Sequence, residues 1–515
     1  MIRDGVYTSV VKGVARNTSV MFLQYLLTWG ASFIGMLFLP RYLGPVEYGR
    51  LYLATSIVAL FRVFVEYGGN YLVAKEVSRS REKTGQIVVD AIGFRLMLAS
   101  VAFAGVIAVA LTAGYPGETN LLLAIVGAGL FGHGAIIVLS AAFQGHEKLR
   151  YSSIASVVNS LFGNVLSVVA VILWPFAWII GGIGVMASTL QLATMAYYSR
   201  RIIPSIPGIQ WAGMLRHMQV GLSYFLFAVF SAVYYRIDSV MLSKMTPEEV
   251  VGWYGGAYKL FEAMNFFPFI FTTAVYPVLS RLWKEESDLH RRTLQKGLEF
   301  MILVGVPVSV GLIVFARIPV QILYGLDGYG PAVVVLQVLA GGLLFLFIDM
   351  VLGTALLASD RQRQQSVLSL AAIPVNIGLN FVLIPYFQQS QNNGGVGAAL
   401  ATGLTELGLM IAMFFLLPRG ILAGFRVSVV MKGLAAGAAM AGIAFALLAA
   451  RLPSGVCAVL SAFAYVPAIL LFGTLETDEE RFVRSLFTIG GLRAAIRSIS
   501  SGDDVSPQNG SRGIR

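Results

Sequence analysis

The lysines and arginines of this chain are distributed very unevenly around its apolar segments, and this distribution constrains the fold more than any other feature. Fourteen apolar stretches are long enough to span a membrane. If the N-terminus is cytoplasmic, 28 of the 37 basic residues fall in cytoplasmic segments. The rest lie either on the opposite face (Arg41, Arg50, Lys244, Arg317 and Arg451) or within the apolar stretches (Arg62, Arg95, Arg236 and Lys259). This asymmetry is the positive-inside pattern. We therefore predict a multi-pass protein of the cytoplasmic membrane with both termini cytoplasmic.

The composition agrees with this prediction and excludes several classes of function. The chain is 57% hydrophobic and only 12% charged, against roughly 25% charged for a soluble domain. The net charge is +11, and the basic residues lie in short loops between the apolar stretches. Their predicted partner is therefore the anionic inner leaflet and not nucleic acid. The single cysteine, Cys457, excludes an intramolecular disulfide, and the four scattered histidines do not suggest a metal site. We predict no metal and no cofactor.

The apolar stretches predict an all-α polytopic membrane protein with about fourteen transmembrane helices. Each stretch is long enough for ~30 Å of hydrocarbon, and the connections between them are short and rich in Gly, Pro and Asn. The predicted helices run near residues 17–39, 51–74, 86–113, 119–143, 151–174, 178–199, 218–243, 251–279, 294–316, 331–358, 366–387, 395–418, 430–450 and 454–474.

Short motifs recur between the two halves of the chain at a spacing of about 200 to 216 residues, so that helix n matches helix n+6. The matches are Pro45-x-Glu47 with Pro247-Glu248-Glu249, Ser78-Arg79 with Ser280-Arg281, Asn159 and Asn164 with Asn376 and Asn380, and Gly181–Gly184 with Gly394–Gly397. Because six helices separate the copies, both halves have the same orientation, which predicts a parallel repeat around a central cavity.

The predicted divisions are 1–200 and 218–418 as six-helix bundles, 201–217 as a cytoplasmic linker, 419–474 as two additional helices, and 475–515 as a cytoplasmic tail with an amphipathic helix near 482–499.

Four motifs in this order resemble one known family. They are Arg41-Tyr-Leu-Gly-Pro-Val-Glu-Tyr-Gly49, Tyr235-Arg-Ile-Asp-Ser-Val-Met-Leu242, Gly252-x-Tyr254-x-x-Ala257-x-Lys259-Leu260, and Asn380-x-x-Leu-Ile-Pro385 with Gly395-x-Gly397-Ala398-Ala399. From about residue 15 to 420 the chain is similar to polysaccharide and oligosaccharide-lipid flippases of the multidrug/oligosaccharidyl-lipid/polysaccharide exporter superfamily. The resemblance implies two six-helix bundles around a central cavity, alternating access, and transfer of undecaprenyl- or dolichyl-linked sugars.

Ionisable residues within the apolar stretches are the candidate site residues. A charge at the centre of a bilayer costs ~2.5–3.5 kcal/mol on insertion scales, so it must face a cavity or a partner. Arg62, Arg95, Arg236 and Lys259 are the predicted substrate-binding cations, because a guanidinium offers bidentate hydrogen bonds to a pyrophosphate. The alternative for two of them is mutual neutralisation, since Arg62 can pair with Glu66 at i,i+4 and Lys259 with Glu262 at i,i+3.

The remaining polar residues of the apolar stretches suggest weaker roles. Asp238 is the first ion-coupling candidate, with Glu66 and Glu262 as others, because no nucleotide-binding motif is found and transport would need an ion gradient or downhill use of the substrate. Arg236 and Asp238 are two residues apart and cannot satisfy each other. His133 is interpreted as a satisfied core histidine, with a proton relay as the alternative. The four asparagines are predicted to bond between helices, with contact to sugars as the alternative.

These observations favour a flippase for a polyprenyl-diphosphate-linked oligosaccharide. Its predicted partners are the lipid-linked oligosaccharide, membrane lipids and other polysaccharide-assembly proteins. Two alternatives on the same scaffold are a cation-coupled multidrug or metabolite exporter and a lipid II-type flippase. An integral-membrane glycosyltransferase is disfavoured because no internal loop reaches twenty residues. The chain is therefore predicted not to be an enzyme.

Overall fold

The computed structural model describes residues 2–67, 71–203, 207–285 and 287–474. Every long element in these ranges is a helix. The helices are α1 (Ile2–Glu66), α2 (Tyr71–Arg79), α3 (Thr84–Thr112), α4 (Gly117–Gly145), α5 (Leu149–Leu173), α6 (Ala177–Ser199), α7 (Trp211–Met245), α8 (Glu248–Met264), α9 (Phe266–Glu285), α10 (Ser287–Phe315), α11 (Arg317–Leu323), α12 (Leu326–Tyr329), α13 (Ala332–Ala358), α14 (Gln362–Gln391), α15 (Gly394–Leu416), α16 (Val427–Ala449) and α17 (Ser454–Leu471). The predicted tail, with its amphipathic helix, lies outside the described residues.

The predicted all-α polytopic architecture is confirmed. Twelve described helical segments are long and apolar enough to cross a membrane. One of them, Leu23–Glu66, covers residues 23–39 of predicted helix 1 and 51–66 of predicted helix 2, and at 44 residues it is long enough for two crossings. Predicted helix 2 was placed to residue 74, whereas α1 ends at Glu66. Predicted helix 7 corresponds to α7, whose side chains are described only in part. All fourteen predicted segments therefore have helical counterparts.

The structure contains the predicted break between helices 1 and 2, whereas it divides predicted helix 8 into two, and both features have a backbone cause. Predicted helices 1 and 2 are the two arms of α1, and they are separated, as predicted, by a break at Gly44, whose φ of 73° and ψ of 171° are not helical. Only glycine adopts this conformation at no cost, and the following Pro45 lacks the N–H that a straight helix would use. Predicted helix 8 is interrupted at Asn265, which separates α8 from α9. Pro268 then falls in the first turn of α9, where a missing N–H is tolerated.

The helices pack in two groups that meet along α1. In the first group, α1 packs against α3, α4, α5 and α6, and α4 packs against α3 and α6. In the second, α13 packs against α8, α9, α10 and α15, and α14 packs against α7 and α15. Helices α16 and α17 pack on each other and on α10. The two groups meet where α1 contacts α7 and α8 and where α3 contacts α7.

The contact between α1 and α8 brings two backbones together without intervening side chains. A Cβ atom at Gly252 would overlap the carbonyl oxygen of Pro45. A Cβ atom at Gly49 would overlap the carbonyl oxygen of Glu248 and lie 2.9 Å from the amide nitrogen of Gly252. The two matched motifs of the sequence repeat therefore pack directly on each other, and glycine is what permits this approach.

An ion-pair network surrounds this α1–α8 contact. The guanidinium of Arg50 binds Glu47 on its own helix, Glu118 on α4 and Glu248 on α8, with 2.8 Å between Arg50 Nε and Glu248 Oε2. Thr119 donates to Glu248 over 3.0 Å. Because these residues lie on the face predicted to be external, the network holds the two helix groups together on that face.

The orientation of the chain in the membrane can be tested with single cysteines. In a Cys457→Ala background, we expect an impermeant thiol reagent to label Gly117→Cys in intact cells and to label Lys148→Cys only after permeabilisation. Both positions are exposed at helix ends, whereas Cys457 is fully buried. Labelling of Lys148→Cys in intact cells, without labelling of Gly117→Cys, would invert the predicted orientation.

Candidate functional site

A cavity of about 680 Å³ lies between the two helix groups, next to the α1–α8 contact. Helices α1, α4, α5 and α6 line most of it, and α7 and α8 each contribute one cation, Arg236 and Lys259. Tyr48, Leu51 and Tyr52 of α1 also line it, within one turn of Gly49. The tight backbone contact and the Arg50 network therefore lie at the end of the cavity nearest the predicted external face.

Three of the four predicted cations line this cavity: Arg62, Arg236 and Lys259. Two of them have carboxylate partners on their own helices, as the sequence spacing predicted. The distance from Arg62 Nε to Glu66 Oε1 is 3.1 Å, and that from Lys259 Nζ to Glu262 Oε2 is 2.8 Å. All four side chains are substantially accessible, so these pairs are weak and can exchange partners with an incoming anion.

Arg236 is the cation of the cavity that lacks such a partner. Its side chain is half-buried, and it makes no hydrogen bond or ion pair to any residue that the structure describes. With Arg62 and Lys259 balanced by Glu66 and Glu262, this side chain gives the cavity an excess of positive charge. Glu262 and Asp238 are near enough to interact with it electrostatically, but neither is hydrogen-bonded to it, so the guanidinium can still bind an anionic group of a ligand.

Arg95, the fourth predicted cation, does not line the cavity. It is only 4% exposed, and its Nη1 donates to the backbone carbonyls of Val65 over 2.7 Å and Tyr67 over 3.0 Å. Val65 lies in the last turn of α1 and Tyr67 directly follows the helix, where carbonyl acceptors are left unsatisfied. The structure therefore assigns Arg95 a contact that fixes the end of α1, which differs from the predicted position in a ligand cavity.

Asp238, the first ion-coupling candidate, lies behind the cavity wall. It is 5% exposed and accepts hydrogen bonds from the Tyr254 hydroxyl on α8 and, over 2.7 Å, from the backbone amide of Ser239. As the sequence required, its partner comes from another helix and not from Arg236. Through Tyr254 this carboxylate connects α7 to α8 beside the α1–α8 contact.

Glu66 and His133 form a polar contact that the sequence did not predict. His133 of α4 lines the cavity, and its Nε2 lies 3.0 Å from Glu66 Oε1, the oxygen that also binds Arg62. His133 therefore has a hydrogen-bonding partner, as its interpretation as a satisfied histidine requires, but its ring is only half-buried and lines the cavity. An unpaired histidine in one apolar helix gave no indication of a partner 67 residues away.

The four asparagines of the repeat have different environments in the two halves. Asn159 and Asn164 of α5 line the cavity. Asn376 and Asn380 of α14 are only 3% and 0% exposed, and they bond to each other and to Thr405. The prediction of interhelical bonding therefore fits the second half, and a cavity position fits the first.

A second acidic cluster lies in the other helix group. Asp349 of α13 and Glu406 of α15 are each 6% exposed, and their carboxyl groups are close enough to interact electrostatically. The Tyr234 hydroxyl of α7 donates to Glu406 over 2.7 Å. Among the described residues, no group of three or more His, Cys, Asp or Glu side chains could hold a metal ion.

Comparison with known proteins identifies the family. Residues 14–283 match the family described as polysaccharide biosynthesis protein, and residues 223–382 match the MatE family. A protein named as an O-antigen transporter in Escherichia coli (strain K12) is 22% identical over 418 residues, which cover 78% of this chain and 93% of that protein.

Two solved structures share the fold. The lipid II flippase MurJ, in an inward closed conformation, has a TM-score of 0.69 and 15% identity, covering 91% of this chain and 100% of that one. An inward-facing multidrug resistance MATE family transporter of the MOP superfamily has a TM-score of 0.61 and 14% identity, covering 76% of this chain and 93% of that one. The resemblance inferred from the sequence motifs is confirmed. The chain belongs to the polysaccharide biosynthesis protein family, and it shares the fold of these two solved membrane proteins.

Proposed function

We propose that this protein is a flippase that moves a polyprenyl-diphosphate-linked oligosaccharide across the cytoplasmic membrane for polysaccharide biosynthesis. The observation that carries the proposal is the half-buried Arg236, which has no described partner and shares a cavity with Arg62 and Lys259. A diphosphate that links a lipid to a sugar is dianionic, and guanidinium and ammonium groups bind its oxygens through charge-assisted hydrogen bonds. The E. coli relative named as an O-antigen transporter supports the same class of substrate.

The proposed site consists of Arg62, Arg236 and Lys259, with Glu66 and Glu262 as exchangeable partners of two of the cations. Arg95 is not included, because its guanidinium is engaged with backbone carbonyls of α1. Two six-helix bundles, divided at residues 201–217, would move about the α1–α8 contact to expose the cavity to one face and then the other.

Energy coupling is part of the same proposal. Glu66, Glu262 and Asp238 are the candidate coupling groups, and Asp238 is closest to the moving contact because it binds Tyr254 of α8. A cation or proton bound there would compete with this hydrogen bond. Imposing sodium and proton gradients in turn across proteoliposomes would test coupling, and an unchanged flipping rate under both would exclude it.

The alternative of a cation-coupled drug exporter shares the fold but fits the cavity less well. An organic cation would enter a cavity that already holds three basic side chains and an excess of positive charge. A lipid II-type flippase requires the same diphosphate chemistry, and the MurJ structure has the same fold. The two flippase hypotheses therefore differ in the sugar and not in the proposed cationic site.

The decisive experiment uses the purified protein in proteoliposomes. A polyprenyl diphosphate with a fluorescent sugar, placed in both leaflets, is treated from outside with an impermeant reagent that modifies the exposed sugar. We expect faster loss of protected fluorescence with the protein than in empty vesicles. A rate equal to that of empty vesicles, together with efflux of an organic cation such as ethidium, would favour the exporter instead.

A further inference from the structure

The cavity has a second wall that carries hydrogen-bonding groups but no charge. Helices α5 and α6 contribute its polar side chains and three glycines: Asn159, Ser160, Asn164, Ser167, Ser188, Gly163, Gly181 and Gly184. We call this surface the α5–α6 wall. The basic residues of the cavity lie on other helices, namely α1, α7 and α8. The cavity therefore joins a cationic part to a neutral polar part.

Three of the five polar side chains of the α5–α6 wall are hydrogen-bonded to described groups, whereas Ser167, which is only 6% exposed, and the more accessible Asn159 are not. Ser160 donates to the carbonyl oxygen of Thr28, Asn164 donates to that of Ser160, and Ser188 donates to that of Gly184. Asn159 makes no hydrogen bond to any residue within the described part of the chain, although its side chain is half-buried. Its amide thus offers two donors and an acceptor to whatever enters the cavity.

The other half of the molecule shows that this availability is not a general property of these positions. Asn376 and Asn380 occupy the matching helix of the repeat, and both are buried and hydrogen-bonded to protein groups. In the repeated pattern, the asparagines of the first half line the cavity, whereas those of the second half are hydrogen-bonded inside the protein. A packing role explains the second set and leaves Asn159 unexplained.

The space in front of the α5–α6 wall is open at Gly184, whereas Gly163 and Gly181 pack closely against Ala187 and Leu122. Nothing lies within 4 Å of the position that a Cβ atom of Gly184 would occupy. A cavity of about 680 Å³ falls within the ~300–1,000 Å³ range of ordinary ligand sites. It can enclose a diphosphate with the sugars nearest to it, but not a long glycan.

We propose that the α5–α6 wall is the sugar subsite of the flippase, and that Asn159 hydrogen-bonds the neutral sugar next to the diphosphate. This proposal rests on the proposed function, because it assumes that the diphosphate lies on the cationic part of the cavity. Sugar hydroxyl and acetamido groups both donate and accept hydrogen bonds, and an uncharged amide on an uncharged wall matches that chemistry. The α5–α6 wall therefore selects among lipid-linked sugars, and the cations bind the diphosphate that all these ligands contain.

Two lipid probes separate the two parts of the cavity. One is a polyprenyl diphosphate without a sugar, and the other carries a single N-acetylhexosamine. We expect Asn159→Ala to weaken binding of the sugar-bearing probe by about 3- to 10-fold, as the loss of one or two neutral hydrogen bonds implies. Binding of the sugar-free probe should not change. Val169→Ala on the exposed side of the same helix is the matched control and should affect neither probe.

A steric variant provides an independent test that removes no hydrogen bond. Gly184→Leu would place its side chain in the open space of the cavity, and we expect it to weaken binding of the sugar-bearing probe by at least 10-fold. Gly182→Leu, also with nothing within 4 Å of its Cβ position but outside the cavity lining, is the control. Thermal unfolding of all variants in detergent identifies any that fail to fold.

The outcomes distinguish the two proposals. If wild-type protein binds neither probe, the proposed function is wrong. If it binds both probes with equal affinity, and Asn159→Ala and Gly184→Leu bind them as wild type does, only the sugar subsite is wrong. Equal weakening of both probes by Asn159→Ala would also overturn the subsite, because it would assign this residue to the diphosphate.

Discussion

Replacing Arg236 with alanine is expected to weaken binding of a polyprenyl diphosphate by about 10- to 100-fold and to abolish glycan export. The estimate follows from the ~1.5–3 kcal/mol typical of a hydrogen bond to a charged group, at about 1.4 kcal/mol per tenfold change. The effect should be the same with or without a sugar on the probe. Arg236→Lys should restore part of the affinity, because it keeps the charge but not the planar fork.

Arg95→Ala is the comparison that separates binding from folding. Removing this buried side chain would leave the carbonyl oxygens of Val65 and Tyr67 without their donor, at a cost of about 1–3 kcal/mol. We therefore expect a lower unfolding temperature in detergent and unchanged affinity in the fraction that remains folded. Arg236→Ala should show the reverse. A normal unfolding temperature combined with lost affinity in Arg95→Ala would return that residue to the binding site.

The sequence was sufficient to predict features that depend on whether a segment lies in lipid or in water, and features that depend on residue spacing along one helix. The all-α architecture follows from the number and length of the apolar stretches, because a backbone in lipid must satisfy its hydrogen bonds within the segment. The pairs Arg62–Glu66 and Lys259–Glu262 follow from helical spacing alone. The placement of Arg236 and Asp238 with different surroundings follows from their separation by two residues.

Features that depend on contacts between distant segments could not be predicted in this way. The buried charge of Arg95 could be stabilised by a hydrated cavity or by the carbonyl oxygens at the end of a neighbouring helix. The sequence does not distinguish these two environments. His133 and Glu66 meet only because α1 packs on α4. The direction in which the two arms of α1 leave Gly44 depends on a single backbone conformation, which a glycine-proline pair permits but does not require.

The glycine pair of the α1–α8 contact leads to the second prediction. Gly49 and Gly252 lie together in the α1–α8 contact. Because they have no side chains, they let the two helix groups close on the predicted external face. Alternating access requires this contact to form and to separate in each cycle. A side chain at either position would oppose the closed state and leave the open state unaffected.

Gly252→Leu is therefore expected to shift the protein towards a state open on the predicted external face and to stop export. A Cβ atom there already overlaps the carbonyl oxygen of Pro45, and overpacking of this kind costs about 1–3 kcal/mol, or roughly 5- to 150-fold in the closed population.

Thr55 lines the cavity, so Thr55→Cys in a Cys457→Ala background reports access from outside. We expect its labelling by an impermeant thiol reagent in intact cells to rise several-fold when Gly252→Leu is added. Gly341→Leu on α13, where nothing lies within 4 Å of the Cβ position, should leave labelling and export unchanged. Normal export by Gly252→Leu, with Thr55→Cys labelled no faster, would mean that the α1–α8 contact is not the closure of the transport cycle.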